Sequence, residues 1–135
     1  MAGYPGTPLA KKLGIKPGSH VHAMDTPPGY HEWLAPLPGN VVFEQRAGQS
    51  NCDIVHLFVG SFAALRRTLP KARRTITPAG AIWVSWHKKS SGIPTDVTED
   101  IVRRLALETD LVDVKVCAVA DIWSGLKLVI RKHLR

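Results

Sequence analysis

Ile54-Val55-His56-Leu57-Phe58-Val59 is a continuous apolar run broken by one histidine. A strand with one wet face alternates apolar and polar residues, whereas so short and uniform a run fits a strand covered on both faces, as in a parallel sheet between helix layers. The flanking sequence agrees. Ser61 stands where it can cap a helix in which Phe62, Leu65, Leu69 and Ile76 share one face. Pro70 falls inside that pattern and is expected to kink the helix or split it in two, because it lacks an N–H and crowds the preceding turn. After a turn at Thr77-Pro78-Ala79-Gly80, residues 81–86 repeat the buried-strand pattern. Val97, Ile101 and Leu105 mark another helix, which Asp96 and Glu99 open with capping-box spacing. Residues 112–119 and 126–130, separated by 120–125, read as an antiparallel pair.

Toward the N-terminus, Thr7-Pro8 precedes Leu9, Leu13 and Gly14. This predicts a short helix with Thr7 as its cap, proline at the first helical position and glycine at the left-handed exit. Residues 21–24 form a strand ended by Asp25-Thr26-Pro27-Pro28-Gly29. Tyr30, Trp33, Leu34 and Leu37 follow at helical spacing as far as Pro38-Gly39, and residues 41–44 form a further strand. Alternating strands and helices predict one α/β domain over 1–135, a minimal Rossmann-like three-layer sandwich whose mostly parallel sheet ends in an antiparallel C-terminal hairpin strand. The short link 45–53 is the weakest point, since a parallel crossover normally takes about a dozen or more residues. With 41–44 beside 21–24 the link just reaches, and the strand order becomes 41–44, 21–24, 54–59, 81–86, 126–130, 112–119. An antiparallel 41–44 is the competing solution.

The chain has 135 residues, 44% of them hydrophobic, with 18 Lys plus Arg against 11 Asp plus Glu and a net charge of +7. A domain of this size buries about two thirds of its unfolded surface and needs neither metal nor disulfide to fold. No apolar run approaches the roughly 20 residues of a membrane span, and Met1-Ala2-Gly3-Tyr4-Pro5-Gly6 lacks the regions of a signal peptide. A cytoplasmic location with no membrane partner is expected. Cys52 and Cys117 are expected to be free thiols, the latter a small hydrophobe within the apolar run 114–119.

Charge is unevenly distributed. No acid occurs between Ile54 and Thr95, a stretch holding Arg66, Arg67, Lys71, Arg73, Arg74, Lys88 and Lys89, whereas seven of the eleven acids fall between residues 96 and 121. A basic surface of Arg66, Arg67, Arg73, Arg74 and the basic tail is one reading, with nucleic acid as partner. Aromatic residues are not interleaved with these cations, so a solvated helix face is favoured over it.

Three stretches together resemble the core of class I S-adenosylmethionine-dependent methyltransferases: residues 13–21 leading into the first strand, residues 69–84 with the Thr77-Pro78-Ala79-Gly80 turn, and the C-terminal hairpin. End to end, the chain is also similar to an uncharacterised family of small bacterial proteins, a domain of unknown function. That likeness rests on 4–18, the 86–92 loop and 114–125, and it implies no established activity. The methyltransferase resemblance implies a final strand lying antiparallel beside 81–86. It also implies a glycine-rich turn after the first strand, where the cofactor approaches the backbone, and a ribose-binding carboxylate at the end of the second. This chain has Asp25-Thr26-Pro27-Pro28-Gly29-Tyr30 at the first position and only Glu44 for the second, where a solvated strand-end glutamate is the plainer reading. No cofactor is therefore expected, with S-adenosylmethionine binding weakly or not at all.

Ligands of open α/β sheets gather outside the carboxyl ends of the strands where strand order reverses, here between 21–24 and 54–59. That rule selects Asp25 and Thr26, then Gly60 and Ser61, then Trp86-His87-Lys88-Lys89-Ser90-Ser91-Gly92. In the last group two ammonium groups, two hydroxyls and a glycine suit phosphate or carboxylate, and His87 adds the one imidazole. P-loop spacing is absent, and a polar loop with its lysines in water is the plain alternative. Trp123 with Ser124 and Gly125 closes over Lys88 and Lys89 if the hairpin lies beside 81–86. His20 and His22 share a strand face near Asp25 and His31, but their spacing matches no specific site, and no metal is expected. Trp33, Trp83, Trp86 and Trp123 suit core and sheet-cover positions.

Three functions follow. The favoured one is a non-catalytic binding or regulatory module derived from a methyltransferase-like core, with a homodimer as one expected assembly. The second is a small enzyme or sensor for an anionic small molecule at the carboxyl ends of the strands, and the third is the nucleic-acid binder.

Overall fold

In a computed structural model of the chain, which describes residues 7–135, the run at 54–59 lies at the centre of a six-stranded sheet. Tyr4, where the likeness to the small bacterial proteins begins, and the whole segment 1–6 lie outside the described residues. The strands are β1 (His20–Met24), β2 (Val42–Phe43), β3 (Cys52–Phe58), β4 (Ile76–His87), β5 (Leu111–Ala120) and β6 (Trp123–Ile130), in the order β2-β1-β3-β4-β6-β5. The first four are parallel, and β6 runs antiparallel to both β4 and β5. This is the expected order, with β2 parallel to β1. The short link suffices because β2 pairs only with His20 and Val21 at the start of β1. The chain leaves β2 already close to the amino edge, where Gly48 donates to Thr75 Oγ1 and Ser50 to the Arg74 carbonyl.

Period-two alternation along β3 and β4 divides the core in two. Val55, Leu57, Ile82 and Val84 face helices α3 (Phe62–Thr75) and α4 (Glu99–Leu107), meeting Leu65, Leu69, Val102 and Ala106. Ile54, Phe58 and Trp83 face the short helices α1 (Leu9–Leu13) and α2 (Tyr30–Leu34). The Trp83 indole N–H donates to the Leu13 carbonyl at 3.0 Å and fastens α1 to the sheet.

Several local expectations are corrected. Pro70 does not split α3, which is one helix through that exposed residue, with Leu65, Leu69 and Ala72 buried on either side of it. Ile76 and the Thr77-Pro78-Ala79-Gly80 segment belong to β4. Its pairing jumps from Cys52–Ile76 to Ile54–Ala81, so the extra residues loop out of the ladder, which is where a strand tolerates proline. Gly80 closes that irregularity, because a Cβ there would lie 2.9 Å from the Cys52 carbonyl oxygen. Pro8, not Thr7, occupies the cap position of α1, without a side-chain bond. Helix α4 is capped by Thr98, whose hydroxyl accepts from the Ile101 N–H; Asp96 instead accepts from the Phe62 N–H. β4 extends one residue beyond the expected run, to His87, and β6 begins at Trp123, which shortens the hairpin turn to Asp121 and Ile122.

Candidate functional site

The carboxyl ends of β1, β3 and β4 and the start of β6 meet at one edge of the sheet. His87 pairs with Trp123 across β4 and β6, and their rings stack at 4.0 Å between centroids. The ring contact shields His87 from solvent: its Nδ1 is buried and has no hydrogen-bond partner among the described residues. Trp123 also lines a cleft of about 710 Å³. Trp33 and Pro28 of the α2 side wall this cleft, as do Asp121 and Ile122 of the hairpin turn, and Glu32 adds a second carboxylate.

Of the residues selected from sequence, the structure brings together His87, Trp123 and the backbone of Lys88, whose N–H donates to the Ile122 carbonyl at 2.9 Å. Asp25 and Thr26 are exposed at the end of β1, with Asp25 in the left-handed region at φ 56°. Trp86 packs in the core under α3 and α4, on the opposite face from Trp123. Ser61 caps α3 by accepting from the Ala64 N–H, and Asp96 accepts from the Phe62 N–H, so two of the first three donors of that helix are taken. Ser91 donates to the Lys88 carbonyl and accepts from Ile93, closing a tight turn over Lys89–Ser91 that leaves Lys89 and Ser90 in solvent. On α3, Arg66, Arg67 and Arg74 are exposed, but Arg73 is held by Asp110 through Nε and Nη2.

Beneath the edge lies a cluster that sequence reasoning missed. The Tyr30 hydroxyl shares a hydrogen bond with His56 Nδ1 and the Ser85 hydroxyl shares one with His56 Nε2, both at 2.8 Å. Burial holds His56 far below the ordinary histidine range, at about 3, so the ring is neutral near pH 7. A hydroxyl on a histidine resembles an activated nucleophile. Here Ser85 and His56 are wholly buried and Tyr30 is 2% exposed, so no substrate reaches the hydroxyl and the cluster is a core hydrogen-bond relay. The single polar residue in the 54–59 run was its only sequence signal.

At the far side of β1, His20 Nδ1 donates to Glu44 Oε2 and His22 Nδ1 to the Glu44 carbonyl. Glu44 is thus half-buried and engaged, not the solvated strand end expected.

With this geometry in place, comparison with solved structures is decisive for the architecture. A putative type 11 methyltransferase from Sulfolobus solfataricus superposes with a TM-score of 0.63 at 14% identity, over 92% of this chain and 90% of that one. The fold is that of S-adenosylmethionine-dependent methyltransferases. One such enzyme from Aquifex aeolicus gives a TM-score of 0.60 at 15% identity, over 90% of this chain and 87% of its own. The ribosomal protein L11 methylase of Lactobacillus delbrueckii subsp. bulgaricus gives 0.57 at 11%, over 90% and 74%. No family model and no curated protein matches the chain.

The turn after β1 differs from the glycine-rich one that the methyltransferase resemblance implies. Pro27 and Pro28 occupy the turn after β1. Gly29 does adopt φ 87°, but its open side faces Trp33, whose Nε1 would lie 3.2 Å from a Cβ, so the glycine makes room for the indole. Because β2 is so short, Glu44 stands beside the middle of β1, and its carboxylate is held by His20. Within the described residues no helix is long and apolar enough to cross a membrane.

Proposed function

We propose that this chain is a non-catalytic binding module on a methyltransferase-like core, taking its ligand in the cleft between Trp33 and Trp123. The observation that carries the reading is the turn after β1, where two prolines and a buried tyrosine stand in place of a glycine-rich cofactor loop. The cleft walls favour a ligand with a flat apolar body, which indole faces bind well. Glu32 and Asp121 favour a cationic or hydrogen-bond-donating substituent and work against an anion in this cleft.

Calorimetry with S-adenosylmethionine and S-adenosylhomocysteine tests the proposal. No binding is expected at ligand concentrations up to the high micromolar range. Micromolar binding of either overturns the reading and makes the chain a candidate enzyme.

A further inference from the structure

A second concavity lies at the opposite, amino edge of the sheet, remote from the cleft just described. It encloses about 500 Å³ over Ile54 and Ala81, between the turn that follows α1 and strand β6. Lys16 and Lys127 line it from its two sides. Lys115 of β5 stands directly opposite Lys127 in the β5–β6 ladder, and its ammonium lies 6.0 Å from the Trp83 ring. Like charges facing each other across strands are destabilising, and among the described residues none of these three lysines makes an ion pair.

We propose that this concavity is a binding site for a small phosphorylated metabolite, with the lining residues Lys16 and Lys127 holding the phosphate and Lys115 beside Lys127 adding positive charge. Three features support the assignment beyond the charge. Lys127 is half-buried on an interior strand, so it is not one of the inward charges that guard sheet edges. Burial first, then Lys115 and Lys16, push its ammonium below the ordinary lysine range, and no acid offsets them; an arriving phosphate would. The Lys16 side of the site is also preformed. The Lys16 N–H donates to the Ser19 hydroxyl at 2.9 Å and the Ser19 N–H returns a bond to the Lys16 carbonyl. Asp53 is the one carboxylate in the lining, and its Oδ2 accepts from the His20 N–H on the wall away from β6. There it is placed to accept from hydroxyls of the same ligand, the chemistry of a sugar phosphate.

The test measures affinity for inorganic phosphate and ribose 5-phosphate by calorimetry, and thermal stability against sodium chloride at matched ionic strength. Both probes should bind, ribose 5-phosphate more tightly, and both should raise Tm where chloride does not. K16A/K127M should weaken binding by about tenfold or more, whereas R67A/K71A, which removes equal charge from the other face, should leave it unchanged. Without ligand, K127M should have a Tm equal to or above that of the native chain, since methionine keeps the stem and removes the unpaired charge. Equal losses in both double variants, or no response to phosphate beyond that to chloride, would overturn the proposal. So would an oligonucleotide that binds through these lysines while ribose 5-phosphate does not. The carboxyl-edge reading stands or falls separately, on the cofactor titration.

Discussion

Removing the Ser85 hydroxyl exposes what the buried relay contributes. In Ser85→Ala, His56 Nε2 loses its partner in a fully buried position. An orphaned buried polar atom costs about 1–3 kcal/mol, so urea denaturation at pH 7 should show a loss in that range. Replacing the whole relay as Y30F/H56F/S85A leaves no unsatisfied polar atom and should recover most of it, because exchanging a hydrogen-bonded set for apolar groups of similar shape is close to neutral. The pH dependence is the sharper measurement. Unfolded His56 takes up a proton as pH falls through about 6.5, while the folded chain resists until about 3. Stability from this group is fully present above 6.5 and is lost as pH falls, at a limiting slope of about 1.4 kcal/mol per pH unit. Between pH 6.5 and 5, above the carboxylate range, the loss comes to about 1–2 kcal/mol. The triple variant should lack this component. Parallel pH curves for the native chain and the triple variant, or an S85A cost below about 0.5 kcal/mol, would refute the relay.

Gly125→Ala places a Cβ 2.7 Å from Val119 Cγ2 and 3.2 Å from the Trp83 ring, so it should destabilise by about 1–3 kcal/mol, read as a lower urea midpoint. Pro70→Ala should instead stabilise by about 1–3 kcal/mol, because α3 is continuous there and gains an N–H donor on its exposed side. Cys52 is fully buried, and burial with Glu44 and Asp53 pushes its thiol up to about 11. At pH 8 a thiol reagent should therefore reach only the half-buried Cys117 in the folded chain, with the second equivalent released by denaturant. Two equivalents titrated without denaturant would contradict the packing at Cys52.

Strand order was legible in the residues because burial on both faces leaves a direct mark. Runs 54–59 and 81–86 are each apolar but for one residue, His56 and Ser85, which a sheet covered by helices on both sides accommodates, and the link 45–53 is too short for most alternative placements of β2. Caps and breaks were less legible. Thr98 and Asp96 stand two residues apart, and only packing of α3 against α4 decides which caps α4 and which turns to Phe62.

The chemistry of the two edges depended on the tertiary structure. Trp86 and Trp123 both suited the loop at the carboxyl edge from sequence, but strand alternation sends Trp86 to the α3 and α4 side and Trp123 to the cleft. His56 appeared as one polar interruption until the fold brought Tyr30 from 26 residues away and Ser85 from 29 to its two nitrogens. Lys16, Lys115 and Lys127 are scattered along the chain and form no motif. Antiparallel pairing of β5 with β6 puts Lys115 and Lys127 face to face, and the turn after α1 brings Lys16 to the concavity that Lys127 lines. The sequence by itself determines the sheet, because burial is written in local periodicity. Only the tertiary structure determines where charge and hydrogen-bonding groups converge, because that depends on register between segments distant in the chain.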